Sequence, residues 1–342
     1  MSAYLNTRVS LFAAHLWPVE DFRTLLRSPE AEIPQVLMEG GLARLAGLVP
    51  GNDLNSLEQN IIAQLLDETR VLLRPLAGNA RAFLLYWTER FEVTNLKTLL
   101  RGKMGNERPA TLLNRLTPMG AFGRLDVQDL AHAEDVAELL RRLETGHYAG
   151  IVRQARQAFE DSHDPFLLDA ALDRGYYEGL AHRARALEKK NGPALRRLMG
   201  SLINRINLVW LLRYRFNYKL PPAQVYYLLV GAHYGLSSAS LKELSALGSL
   251  EAVLAALPQG LRQSLADAAT IPEIFARMER AAAAEAEQVL RSAAPDCVRA
   301  FAYLILRERD LRAVRAILRG RNLHLPNAMI EHTVGQLAQE TF

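Results

Sequence analysis

One helical phrase occurs three times in this chain, and that repetition constrains its architecture more than any other feature. The stretch ERFEVTNLKTLLRGK at 89–103 returns as LRERDLRAVRAILRGR at 306–321. Sliding residues 81–103 onto 299–321 without a gap pairs Arg81, Ala82, Phe83, Leu100, Arg101 and Gly102 with Arg299, Ala300, Phe301, Leu318, Arg319 and Gly320. Most remaining changes are mild, as in Glu92 to Asp310, Lys97 to Arg315 and Lys103 to Arg321. A weaker copy, INLVWLLRYR, lies between them: Asn207, Leu208, Leu211, Leu212, Arg213 and Arg215 stand opposite Asn95, Leu96, Leu99, Leu100, Arg101 and Lys103. The spacings of 112 and then 106 residues exceed the roughly 34–47 residues of the common helical solenoid units. The register also persists downstream, where ATLLNRLTPMGAFG after the first copy corresponds to PAQVYYLLVGAHYG after the second. The repeating unit is therefore domain-sized. Tandem triplication divides the chain near 124 and 237, into 1–124, 125–237 and 238–342.

Apolar residues recur at helical spacing almost throughout, and alternating β-branched runs are nearly absent, so the fold class is all-α. Prolines recurring from Pro18 to Pro326 cut the pattern into segments expected to run about 8 to 20 residues. Within the repeated phrase, Leu96, Leu99 and Leu100 with Phe91 or Glu92 form one stripe whose first task is packing. Arg101 with Gly102, and Arg319 with Gly320, read as helix ends: basic residues meet the exposed carbonyls, and glycine takes the left-handed turn just beyond. Capping does not account for the second basic residue, Lys103, Arg215 or Arg321, found in every copy. Around a pseudo-threefold axis, Arg101, Lys103, Arg213, Arg215, Arg319 and Arg321 would form a ring facing one common partner.

Other classes find less support. The longest apolar stretches, such as VYYLLVGA at 225–232, fall short of the roughly 20 residues needed to span a bilayer. The start of the chain reads as a mature helix and not a signal peptide, which points to the cytoplasm. Cys297 is the one cysteine and sits in an apolar helix, where it reads as a packing residue. Gly102-Lys103 lacks the spacing and hydroxyl of a phosphate loop, so no ATP site is expected. His163 in DSHDP has no second histidine at helical spacing and reads as part of a capping turn. His132 and Glu134 read as an ordinary helix start. Tyr176 and Tyr177 are adjacent and must point to different sides, so at least one belongs to the core. No catalytic, cofactor or metal constellation emerges. The formal charge of +4 and pI near 9.2 would suit a nucleic-acid binder, but acidic residues interrupt every basic run, and solvated helix faces explain them. A helical scaffold remains the other alternative.

ERFEVTNLKTLLRGK, ALDRGYYEGL at 171–180, INLVWLLRYRFNYKL and LRERDLRAVRAILRGRNLHLP resemble, in this order, the signature stretches of the C-subunit family of V/A-type ATPases, whose counterpart in eukaryotic V-type pumps is the d subunit. The resemblance extends over essentially the whole chain. The second copy departs from the acidic pattern with Asn204, and the third has Ala313 in place of the asparagine. The resemblance implies a funnel of three helical domains, without catalysis or cofactor of its own, on the cytoplasmic face of the membrane. It implies a socket in which the central shaft subunits of D and F type sit above the proteolipid rotor ring, in a machine that moves protons or sodium. Neither ATP nor nucleic acid is an implied ligand of this chain.

Overall fold

The computed structural model describes residues 2–47, 54–162, 164–231 and 233–337. Helices dominate, and among the described residues there is no strand. The chain begins with α1 (Ser2–Ala13), followed by the short α2 (Val19–Arg27), α3 (Ile33–Glu39) and α4 (Ala43–Ala46). A pair of long helices follows, α5 (Leu54–Leu73) and α6 (Gly78–Met104), and then the short α7 (Pro109–Arg115). The same order recurs from residue 127: short α8 (Val127–Ala131) and α9 (Val136–Leu143), then α10 (Ala149–Ser162), the long α11 (Pro165–Leu212) and the short α12 (Pro222–Leu228). It recurs once more as α13 (Ser238–Ala246), α14 (Leu250–Ala256) and α15 (Gln259–Ser264), the long α16 (Ile271–Arg291) and α17 (Asp296–Asn322), and finally α18 (Asn327–Leu337).

Local chemistry sets these boundaries. Side chains of Asp126, Asp135, Asp164, Ser237 and Ser249 cap the helices that follow them, and Thr270 with Glu273 forms a full capping box on α16. Pro109, Pro165 and Pro222 occupy first-turn positions, where a missing N–H costs nothing. The prolines therefore mark helix starts, but α6 and α17 each run 27 residues, longer than the expected segments. No proline falls within them, and both are covered by other helices along most of their length, so tertiary burial sustains them. The start expected at His132 is instead the end of α8, and Asp135 caps the next helix.

α11 is helical by hydrogen bonding over 48 residues but is broken at Gly192, whose φ of 61° and ψ of −157° no continuing helix can hold. The rings of Tyr177 and Trp210 lie 5.7 Å apart, although 33 residues of straight helix would separate them by about 50 Å. The chain doubles back at Gly192-Pro193. Its arms at 165–191 and 193–212 correspond to the α5/α6 and α16/α17 hairpins.

The main core draws on residues from Leu5 to Val334, and a second cluster gathers Leu167 to Met278 around α12–α16. Phe83 and Phe301, identical in the first and third copies of the repeat, meet edge to face at 4.9 Å where α6 crosses α17, and both are fully buried. Tyr176 is buried and stacks on Tyr86, while Tyr177 is partly buried against Trp210. Cys297 is buried, which pushes its thiol up to about 12. Among the described residues no helix is long and apolar enough to cross a membrane, and no group of His, Cys, Asp and Glu could hold a metal. His163 lies outside the described residues.

Candidate coupling interface

The three copies of the phrase end in the same backbone corner. After α6 the Glu107 amide donates to the Gly102 carbonyl (2.9 Å), with Asn106 left-handed at φ 52°. After α17 the Leu325 amide donates to Gly320 (2.9 Å), with His324 at φ 52°. The second copy has Tyr214 where the others have glycine, and its last turn, Arg213–Asn217, widens into a π-helix. One extra residue is thereby absorbed: the Leu220 amide reaches Tyr214 (2.9 Å), and the left-handed residue is Lys219 at φ 55°.

The glycines do a different job from the one expected of them. Gly102 and Gly320 lie inside their helices and are buried. A Cβ on Gly102 would stand 1.9 Å from Leu112 Cδ2, and one on Gly320 2.6 Å from Ile330 Cγ1. They let the following short helix press against the long one, and the left-handed turn falls four residues later on Asn106 and His324.

Buried polar side chains then tie each long helix to the chain beyond it. Asn95 donates to the Thr117 carbonyl and accepts from its amide, both at 2.8 Å. Asn207 repeats this with Val230, at 3.0 and 2.8 Å. An amide is the one side chain that satisfies both groups of a single peptide residue in this way. Three residues upstream, Glu92 accepts from the amides of Arg124 (2.6 Å) and Leu125 (2.9 Å) just before α8, and Asn204 accepts from Leu236 (2.7 Å) just before α13. Asp310 accepts from Trp17 (2.9 Å), just before α2. Burial pushes the Asp310 carboxyl up to about 6, against the pull of Arg309 and the Trp17 N–H.

Arg215 donates to the carbonyls of Ser245 (2.8 Å), Leu220 (3.1 Å) and Leu247 (3.2 Å), and Arg321 to those of Leu25 (3.0 Å) and Leu26 (2.7 Å). Each guanidinium thus closes the C-terminal end of a neighbouring short helix, α13 or α2, where carbonyls lack helical partners. Arg101 pairs with Asp169 on α11, and beside it Lys97 holds Asp173 through both oxygens at 2.7 and 2.9 Å. Arg213 and Arg319 are exposed in the last turns of their helices, and Lys103 is half-exposed. Of the six basic side chains, Arg215 and Arg321 are thus engaged by carbonyls within the fold and Arg101 by Asp169.

A charge cluster with no counterpart in the repeated phrase lies where α6, α11, α16 and α17 face one another. Arg312 grips Glu279 with two bonds (3.1 and 3.0 Å), and Arg205 pairs with the same carboxylate. The Arg90 guanidinium lies over the Trp87 indole, 3.8 Å from its centroid, with Nη2 2.8 Å from Glu308. Its N–H directions miss the carboxylate, so this contact is an ion pair and not a hydrogen bond. Burial and the nearby Arg312 lower Arg205 to about 10. Burial also works against the charged form of Glu308, but Arg90, Arg312 and Arg205 outweigh it and hold that carboxyl below its ordinary value. These residues occupy positions that differ between the copies, so comparing the repeats could not single them out. Asn95 and Asn207 did carry a signal, as matched polar residues on an apolar stripe.

Repeated helical hairpins joined through buried polar clamps define a purely helical protein whose distinctive residues are structural ties. The chain belongs to the ATP synthase (C/AC39) subunit family, whose family model matches residues 5–333. It is 24% identical over 270 residues to the A-type ATP synthase C subunit of Methanocaldococcus jannaschii, covering 75% of this chain and 64% of that one. It is 27% identical over 215 residues to the protein of the same name from Methanosarcina mazei (60% and 57% covered). With the V-type ATP synthase C subunit of Deinococcus radiodurans it shares 27% over 180 residues (51% of each). The matched stretches span less than two thirds of these relatives' own lengths.

Proposed function

We propose that the chain is a non-catalytic central-stalk subunit of a V/A-type rotary ATPase, a socket that joins the central shaft to the membrane rotor ring. The observation that carries this reading is the family match over residues 5–333. Its partners are shaft subunits of D and F type on one side and the proteolipid ring on the other. It sits at the cytoplasmic face of the membrane and passes torque during ATP-linked transport of protons or sodium.

The clamps support this reading because a coupler needs stiffness. Glu92 and Asn204 each bind the chain entering the next helical unit, and Asp310 binds the chain entering the first. That order suits three domains, near 1–124, 125–237 and 238–342, closed about a pseudo-threefold axis into a funnel. Buried, fully paired ties between domains resist twisting better than exposed ion pairs, which water and salt weaken. Arg215 and Arg321 belong to the ties, so the contact with a partner falls on Arg101, Lys103, Arg213 and Arg319.

The test is recovery of the tagged protein from detergent-solubilised membranes, with co-purifying chains identified by mass spectrometry. Ring, shaft and catalytic-head subunits should be recovered together. Recovery of none of them, or of nucleic acid instead, would overturn the reading. Charge reversal at Arg101, Arg213 and Arg319 should lower recovery of one partner class, and undiminished recovery would remove these residues from the interface.

A further inference from the structure

A cleft of about 340 Å³ opens between α6, α10 and α11, apart from the helix ends described above. Its volume lies within the range of small-ligand sites. Its polar lining includes Tyr86, Glu89, His147, Glu178, His182 and Arg183. The helix backbone forms part of its wall because Gly179 has no side chain: a Cβ there would stand 2.1 Å from the Tyr86 hydroxyl oxygen.

Glu89 is the unusual member. Its residue is 5% exposed, Oε1 is bonded to His147 Nε2 at 2.9 Å, and Oε2 has no partner. A buried acceptor without a donor is uncommon in a folded protein, and a carboxylate oxygen is a costly one to leave so. The neighbouring charges do not fill the gap. Arg183 lies over the Tyr86 ring at 3.7 Å and donates to the Gly179 carbonyl (3.1 Å). Arg174 is paired with Glu178 at 2.9 Å, and Glu92 below is bound to Tyr148 and to two backbone amides. Burial pushes the Glu89 carboxyl up, with the His147 bond and the charges of His147 and Arg183 opposing, and an arriving cation would oppose it further.

We infer that this cleft binds a primary alkylammonium group, seated on Glu89 Oε2. One free oxygen favours a compact ammonium over a guanidinium, whose planar fork needs two parallel acceptors. Such a group comes either from a free aliphatic diamine or from a lysine side chain of a partner protein. Binding of this kind is independent of the rotary reading.

Calorimetric titration of the intact protein tests it, with cadaverine and Nα-acetyl-lysine methylamide as probes and the capped norleucine analogue as neutral control. Saturable binding of at least one amine is expected. Binding should weaken at least tenfold in Glu89→Gln, and equally in Gly150→Leu, which fills a position where a Cβ meets nothing within 4 Å. If Glu89→Gln fails to fold, Gly150→Leu still decides, because it leaves the buried carboxylate in place. Cadaverine binding more than tenfold tighter than capped lysine assigns a free diamine, and comparable affinities assign a lysine side chain. Heats that do not saturate, equal binding of the norleucine control, or affinities unchanged in both variants would overturn the site.

Discussion

α6 and α17 reach their final corner with a buried glycine, whereas α11 reaches the same corner with a buried tyrosine and a widened turn. In the first two, the absent Cβ lets Leu112 or Ile330 press against the helix backbone. In α11, Tyr214 fills that space itself, packing against Phe166 at 5.2 Å and Trp210 at 6.1 Å. The π-turn takes up the extra residue, so the left-handed position moves one place on, to Lys219. The comparison teaches that the corner, not the residue forming it, is what the three copies hold in common.

Breaking the second solution should cost most. Tyr214→Gly removes a side chain that is 6% exposed, and large-to-small changes of aromatic core residues cost about 3–5 kcal/mol. The expected result is a much lower denaturant midpoint with an unchanged m-value. A loss below about 1 kcal/mol would show that the turn is held by its backbone alone.

The asparagine clamps come next. Asn207→Ala orphans the amide and carbonyl of Val230, both beside a fully buried residue. Unsatisfied buried groups cost roughly 1–3 kcal/mol. Asn95→Ala should cost less, because its bonds to Thr117 are partly buried and water can replace them. Chemical denaturation of both variants checks the order, and equal losses would sink this account.

Alanine at Gly102 or Gly320 should destabilise less again. The added methyl would meet side-chain and not backbone atoms, the tip of Leu112 at Gly102 and Cγ1 and Cδ1 of Ile330 at Gly320, which places the cost within the roughly 1–3 kcal/mol that overpacking imposes. Pairing Gly102→Ala with Leu112→Ala should recover part of the cost of the glycine change, as a thermal double-mutant cycle would reveal. Strict additivity would mean that the two residues do not meet as described.

The helical class is legible because the apolar period of the long helices is unbroken, and the repeats are legible because packing keeps Phe83 and Phe301, or Leu100 and Leu318, alike. The Arg-Gly ending locates the corner, but its glycines are packing residues, and sequence alone does not reveal that Leu112 and Ile330 press on them. The π-turn leaves only a faint trace. Asn95 and Asn207 are 112 residues apart, and the helix-opening Pro109 and Pro222 are 113 apart, but Pro221 stands 112 residues after Pro109 and hides the inserted residue from a comparison of the sequences. The tie of Asp310 to Trp17 spans 293 residues, and no local pattern announces a contact of that kind. Arg215 and Arg321 resemble surface cations in the sequence because their carbonyl partners lie mostly on short helices of other units.

The last comparison separates the carboxylate at this position from the amide that replaces it in the second copy. Asp310 stands at about 6 in the fold against an ordinary 3.8. Between these values the native state holds a proton that the unfolded chain has released, so the contribution of Asp310 to stability is fullest below the unfolded value and is lost as pH rises through 6. Asparagine keeps an oxygen for the Trp17 amide and removes the cost of burying a charge. Asn204 already makes the equivalent bond to Leu236 at 2.7 Å. Arg309 would lose Asp310 as an ionic partner but keep Glu287 at 3.1 Å. Asp310→Asn should therefore be slightly more stable than wild type at pH 8 and show a flatter decline between pH 4 and 6. Urea midpoints of the two proteins at pH 4.5, 6 and 8 measure both effects. An identical slope would show that the carboxylate stays ionised in the fold and that the Arg309 charge, not burial, governs it.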